Sequence, residues 1–197
     1  QMAINRWHFN SWGQKYPWKK DNEVGDKIAR ESKLAWFDPK IVLEGGAIDV
    51  NGRGTCLTTS SCLLNTNRNG GLSAEKMGEY LKSYLGIENV IWLDGALKGD
   101  DTDGHVDNLA RFVNPTTIVY ISEDNKDDEN YLGLKGIEET LKKASDCDGK
   151  PFAVIPLPMP RAIEYKNFRL PASYANFYIG NNVVLVPALN DPNDRIA

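Results

Sequence analysis

A single plan begins three times along this chain: a polar-ended strand, a tight turn, an apolar strand, an amphipathic helix and a closing strand. The turn residues Gly52, Pro115 and Asn181 stand 63 and 66 positions apart. One such ββαβ unit has no way to bury its own apolar face, so neighbouring units must pack on one another, as a closed ring or an array. The expected fold class is therefore α/β, built of repeated units whose first strands converge on a common axis.

Each unit is legible from local chemistry. In the first, Ile41-Val42-Leu43 leads into Glu44-Gly45-Gly46, and the runs Ala47–Val50 and Thr55–Leu64 flank a turn at Asn51-Gly52-Arg53-Gly54. Asn-Gly between β-rich runs is a strong hairpin signal. Ser73 caps the helix that follows, Met77, Tyr80, Leu81, Tyr84 and Leu85 fall at helical spacing, and Gly86 stops it. Asn89–Leu93 closes the unit as a buried strand. The second unit opens on Gly104-His105-Val106-Asp107-Asn108, read as an extended strand, and turns at Asn114-Pro115. It returns through Thr117–Ile121, then continues into a helix carrying Tyr131, Leu134, Ile137, Leu141 and Ala144. Its last strand, Phe152–Ile155, is expected to end at prolines 156, 158 and 160. The third opens with Ser173–Tyr178, turns at Gly180-Asn181-Asn182 and returns through Val183–Val186. Ahead of the first unit, Met2–Trp12 reads as a strand running into a loop, and residues 23–34 as a helix with Val24, Ile28 and Leu34 inward.

Converging first strands bring chemistry together. In a strand, His105 and Asp107 lie on one face, a base and an anion for one ligand. Glu44 and Asn176 occupy the matching regions of the other units, so three units point polar side chains at one centre. The net charge of -4 and a pI near 5.3 argue against a general nucleic-acid binder and suit a cationic ligand. No apolar run approaches the roughly 20 residues of a membrane span. Three cysteines without metal-type spacing point to a reducing compartment, the cytoplasm. Cys56 and Cys62, placed in the returning strand of the first hairpin, and Cys147, after a helix, read as structural. His8 reads as packed or exposed rather than catalytic. The acidic loop of Asp100, Asp101 and Asp103 either draws a cation in or is solvated, with solvation expected for two of the three. The register leaves the direction of Asp49 open. Trp12 and Trp92 are candidates to line an apolar wall, with core packing the competing expectation.

The stretches Val42–Gly46, Gly104–Asn108 and Ala172–Tyr178 resemble the agmatine deiminase family, which includes the Porphyromonas-type peptidylarginine deiminases. Similarity extends through Ala3-Ile4-Asn5, Phe9–Gly13, Gly54–Leu57 and Asn65–Asn69, nearly the whole chain. The resemblance implies a pseudosymmetric α/β-propeller (pentein) of five units, about three of them represented here. It implies a hydrolase that converts a guanidinium to a ureido group and releases ammonia: agmatine to N-carbamoylputrescine, a step toward putrescine. By that likeness a Cys thiolate attacks the guanidinium carbon, His105 shuttles protons, Asp107 grips the guanidinium nitrogens, Glu44 pairs with the His or the substrate, and Asn176 lies near the nucleophile. For such a substrate the candidate apolar wall of Trp12 and Trp92 would lie along its methylene tail, core packing remaining the favoured expectation for either. No cofactor and no metal are implied. Elementary chemistry fits these residue types. A guanidinium, with a pKa above about 12, stays charged and matches carboxylates in a bidentate fork. An imidazole, with a pKa of about 6.5, suits proton transfer near neutrality.

The departures from the family pattern are specific. The family's Gly-Gly-Gly-Asn-Ile-His-Cys type segment, which carries the nucleophile, has no counterpart before Ala197, and its Arg-Asp segment would precede Gln1. Both ends read as cut from something longer, so residues 1–197 are expected to be a single partial catalytic domain, inactive by itself. Peptidyl arginine is the alternative substrate, and a non-catalytic fragment that binds guanidino or amine ligands is the alternative from another class. No nucleic-acid or membrane partner is expected, and homo-oligomerisation stays open.

Overall fold

Strand pairing repeats with the period of the turns. The computed structural model describes residues 2–197. Strands β1 (Ala3–Asn5) and β2 (Ala35–Phe37) pair in parallel around helix α2 (Lys19–Glu31), which follows a short turn, α1 (Ser11–Gln14). Next, β3 (Ile48–Val50) and β4 (Thr55–Thr59) form an antiparallel hairpin. Two short helical turns, α3 (Ser60–Leu63) and α4 (Thr66–Asn69), lead to helix α5 (Ala74–Leu85), and β5 (Asn89–Leu93) returns parallel to β4. The plan then recurs: β6 (Ala110–Asn114) and β7 (Thr117–Ser122) as a hairpin, helix α6 (Tyr131–Lys143), and β8 (Ala153–Pro158) parallel to β7. A small hairpin of β9 (Glu164–Tyr165) and β10 (Phe168–Arg169) intervenes before β11 (Tyr178–Ile179) and β12 (Val184–Leu185), the hairpin of the next unit. Among the described residues there are two complete ββαβ units, a parallel βαβ part before them and a hairpin after.

Local signals hold these elements. Ser73 Oγ accepts the Lys76 N–H, and Gly86 adopts the left-handed C-cap of α5 at φ 69°. Asn51 Oδ1 accepts two backbone N–H groups of its own turn, while its amide donates to the Pro115 carbonyl at 3.0 Å and so ties the first hairpin turn to the second.

Period two in β4 divides the core. Leu57 joins Ile91 and Leu93 of β5 in a cluster with Ile118, Ile121, Leu134, Ile137 and Leu141. Cys56 turns the other way, to a cluster with Met77 and Leu81 of α5. All five β4 residues are buried, because the sheet is covered on both faces.

Four readings are corrected. The Gly104–Asn108 stretch is not a strand: His105 caps a 3-10 turn at Val106–Asn108, and the strand starts only at Ala110. Helix α2 runs from Lys19 to Glu31 and buries Ala29, while Val24 and Ile28 are exposed; no described element covers the face they form. The strand read as Phe152–Ile155 continues through Pro156 to Pro158. Ala153 and Met159, at odd positions, donate to the β7 side, so the alternate prolines place their missing N–H on the unpaired edge. Ser173–Tyr178 is mostly irregular, with a turn at Tyr174-Ala175 and pairing only from Tyr178.

Leu57 is fully buried where the second unit packs on the first. Leu57→Ala is expected to lower unfolding free energy by roughly 2–5 kcal/mol, measured by urea denaturation. A loss below about 1 kcal/mol would contradict a continuous core between the units.

Candidate active site

Glu44 and His105 occupy matching places in consecutive units. Each is an extended residue capping a 3-10 turn, Gly45–Ala47 or Val106–Asn108, that feeds the first strand of its unit. The repeat thereby brings residues 61 positions apart face to face: His105 Nε2 lies 3.1 Å from Glu44 Oε2, with both side chains under a tenth exposed. Gly104, at φ 98°, supplies the left-handed bend before His105; a Cβ there would meet the Gly95 carbonyl at 2.6 Å.

The carboxylate of Glu44 has a second partner, a fixed cation that the motifs left without a role. Arg68, from α4, places Nε 3.1 Å from both Glu44 oxygens. Its Nη1 donates to Asn67 Oδ1 at 2.9 Å and to Asp103, and its Nη2 to the Thr102 carbonyl at 2.6 Å. A buried carboxylate needs such compensation. The signal for Arg68 in the sequence was faint: a basic residue inside the asparagine-rich run Asn65–Asn69.

Asp107 completes the centre differently. Gly46 has no side chain where one would collide: a Cβ built on it lies 2.5 Å from both His105 Nδ1 and Asp107 Oδ2. Those two atoms are therefore no more than 5.0 Å apart, the sum of the two contacts, across a gap that only glycine leaves open. Asp107 Oδ1 is buried without a hydrogen-bond partner. Burial raises the Asp107 pKa above its ordinary value, against the lowering pull of His105 and Arg111.

The other candidates spread around this centre. Asn176 is exposed, and its amide donates to Asn108 Oδ1 at 3.0 Å, one residue from Asp107 rather than on His105. Trp12 lies in α1, a left-handed turn in which Ser11, Trp12, Gly13 and Gln14 all have positive φ. Its ring meets Phe9 and Tyr16 edge-on. The turn is pinned to the acidic loop, Lys15 Nζ to Asp103 Oδ1 at 2.7 Å and Tyr16 OH to Asp101 Oδ2 at 2.8 Å. Asp101 is exposed, as a solvated reading expects, while Asp103 is shared by Lys15, Asn67 and Arg68 and Asp100 Oδ1 accepts from Thr102, so one of the three rather than two fits that reading. Trp92 is half-buried against the cluster of Met77 and Leu81, on the core side of β5. Asp49, left open by the sequence, binds Arg111 Nε at 2.8 Å and the Phe112 N–H at 2.6 Å, while the Arg111 guanidinium lies over the Phe177 ring. His8 pairs with Asp38.

Cys62 lies in α3 rather than in the returning strand, and its Sγ is 3.7 Å from Glu44 Oε2. All three cysteines are unpaired. Burial pushes both the Cys56 and the Cys62 thiol up to about 12, so both are thiols, not thiolates, near neutrality. Glu44, Cys62 and His105 offer three donor atoms within 4.8 Å of one another, a metal-like grouping. Arg68 already sits on both carboxylate oxygens, so the guanidinium is the cation that meets Glu44 in this cluster. Among the described residues, no helix is long and apolar enough to cross a membrane.

Known proteins share this arrangement of chain. A family model described as Porphyromonas-type peptidyl-arginine deiminase matches residues 1–197. The agmatine deiminase of Pseudomonas aeruginosa (strain LESB58) is 35% identical over 215 residues, covering 97% of this chain and 58% of that protein. Among solved structures, a cysteine-to-serine variant of C. jejuni agmatine deiminase with substrate bound superposes at a TM-score of 0.89 and 42% identity, over 96% of this chain and 56% of that one. Agmatine deiminase of Enterococcus faecalis, catalysing its reaction, gives 0.91 at 33% identity, over 98% and 59%. The chain spans somewhat more than half the length of each of these relatives.

The raised pKa of Asp107 has a consequence for stability. A carboxyl whose folded-state pKa lies above its unfolded one favours folding while protonated and opposes it once pH rises through the folded value. Asp107→Asn is expected to raise the urea midpoint at neutral pH, the gain shrinking in acid as the native carboxyl takes its proton. An unchanged or lowered midpoint at neutral pH would contradict the buried, unpartnered placement of this group.

Proposed function

The chain belongs to the Porphyromonas-type peptidyl-arginine deiminase family, its units forming part of a pentein α/β-propeller, and from that premise we propose that its protein hydrolyses the guanidinium of agmatine to N-carbamoylputrescine and ammonia. The observation that carries this reading is the unpartnered buried oxygen of Asp107, set beside an imidazole that Glu44 already orients. A planar cation supplies what Asp107 lacks. Its fork of N–H donors meets a carboxylate in bidentate geometry, and its fixed charge offsets the cost of burying that carboxylate.

The two imidazole nitrogens then divide the work. With Nε2 held by Glu44, Nδ1 is the nitrogen left to exchange a proton, and it faces the Asp107 side of the gap at Gly46. A thiolate, from a cysteine other than the three in this chain, attacks the guanidinium carbon. His105 gives its proton to the departing ammonia, then takes one from the water that attacks the thiouronium carbon and frees the thiolate, leaving the ureido product. Cys56 and Cys62 are unsuited to that nucleophile, with pKa values raised to about 12. The unpaired thiols fit a reducing, cytoplasmic setting.

The named activities of the relatives favour agmatine. The description of the family model favours the second reading, peptidyl arginine as substrate. The 197-residue chain by itself is expected to show no turnover. The protein expressed from its whole reading frame is expected to release ammonia from agmatine at least about tenfold faster than from a blocked peptidyl-arginine amide. In it, His105→Ala is expected to lower kcat by about 10²–10⁴ while far-UV circular dichroism is unchanged. Activity within about tenfold of the unsubstituted protein overturns the role of His105.

A further inference from the structure

The side-chain hydrogen bonds of Arg68 go to Glu44, Asn67, Thr102 and Asp103, and its guanidinium is the point where the two halves of the centre meet. Its partners come from two units. Glu44 belongs to the first; Thr102 and Asp103 belong to the loop that delivers His105 in the second, and Thr102 Oγ1 accepts the His105 backbone N–H at 3.0 Å. The side chain is 1% exposed, so no water replaces these bonds. Three separate directions of the planar fork are used: Nε on the carboxylate, Nη1 on Asn67 and Asp103, Nη2 on the Thr102 carbonyl. An ammonium has neither the fork nor the reach to do all three.

We propose that Arg68 is a positioning residue for the reaction. One guanidinium clamps Glu44 against the His105 loop and draws off part of the carboxylate's negative charge, so that the imidazole is aimed by Glu44 without being locked to it as a tight ion pair. The proposal rests on the reading of His105 as the proton carrier. Glu44 Oε2 is shared by Arg68, His105 and the Cys62 thiol. The charged or titratable groups facing the imidazole are Glu44, Cys62 and Asp107, with Arg68 and Asp103 behind Glu44. Of these, only Arg68 is a fixed cation. Without it, the full charge of Glu44 acts on His105 and holds its proton more firmly, which slows release to a substrate or water.

The chain has two histidines, which makes the test direct. Imidazole proton and carbon resonances are followed against pH in the 197-residue chain and in Arg68→Gln and Arg68→Lys. His8, whose imidazole pairs with Asp38 and not with Glu44, serves as internal control. In Arg68→Gln the His105 midpoint is expected to move to higher pH by about one unit, as a step belonging to the Glu44–His105 pair, and by less in Arg68→Lys, with His8 unmoved. A folded Arg68→Gln whose His105 midpoint stays within about 0.3 units overturns the proposal. Should Arg68→Gln fail to fold, Arg68→Lys, which lacks the planar fork, carries the test: an upward move of the His105 midpoint with His8 unmoved supports the proposal, and none overturns it. The measurement needs no turnover. In the whole-frame protein, loss of activity on His105→Ala tests the deiminase reading separately.

Discussion

The carboxylate of Glu44 is the interaction on which the centre depends. It is nearly inaccessible to water, so its charge must be met inside the protein. Beside the weak Cys62 thiol donor, two nitrogen groups from different parts of the chain meet it: the Arg68 guanidinium, and the His105 imidazole brought by the next unit. Breaking either contact leaves a buried anion short of a partner. Arg68 in turn is satisfied only because Thr102 and Asp103 stand in the loop before His105, and Asp103 also reaches the exposed Lys15. The network therefore runs from the surface to the imidazole, and each link fixes the next.

Repetition is what allows a network of this kind to close. A ββαβ unit places the residue before its first strand at the same radius each time, so Glu44 and His105, each capping a 3-10 turn, meet without any long loop to steer them. The same neighbour relation recurs farther out. Asp49 of one unit holds Arg111 of the next, and Arg111 reaches the Phe177 carbonyl and ring of the one after. The Ser173 hydroxyl donates to the Asn108 carbonyl across that second junction. Each junction thus carries both apolar packing and a directional polar tie, and the ties set the angle between units that packing alone leaves loose.

Much of this was legible in the sequence wherever the determinant is local. The turns at Gly52 and Pro115, the Ser73 cap and the apolar stripes of α5 and α6 are decided within a few residues, and they stand where the sequence placed them. Nonlocal determinants were not legible in that way. Reading Gly104–Asn108 as a strand missed one near determinant, Thr102 Oγ1 accepting the His105 N–H three residues on, and one distant determinant, the close pass of Gly46. The acidic loop looked like a solvated run because its cations, Arg68 and Lys15, lie 35 and 88 residues away. Arg68 itself was hidden among asparagines, since nothing in its immediate neighbours says that its charge turns inward. Helix α2 showed the opposite failure: a sound periodicity predicted a buried face for Val24 and Ile28, but periodicity says only which residues share a face, not whether anything lies against it.

The distribution of charge bears on what the centre can hold. Glu44 is balanced by Arg68, and Asp103 by Lys15 and Arg68, so these carboxylates have cations of their own. Asp107 has none in hydrogen-bond contact, only the more distant pull of His105 and Arg111, and burial raises its pKa despite them. A site left with one under-compensated carboxylate and one imidazole discriminates by charge before it discriminates by shape. An anion entering it meets repulsion from Asp107 and finds Arg68 already engaged, while a neutral ligand leaves the buried oxygen unrelieved if it offers no donor. A cation with planar N–H donors lowers the energy of the ionised Asp107 and, by linkage, is bound more tightly as that carboxyl loses its proton. If a guanidinium is the ligand, as proposed, the same group destabilises the empty fold and favours the occupied one, the balance expected of a residue kept for binding rather than for packing.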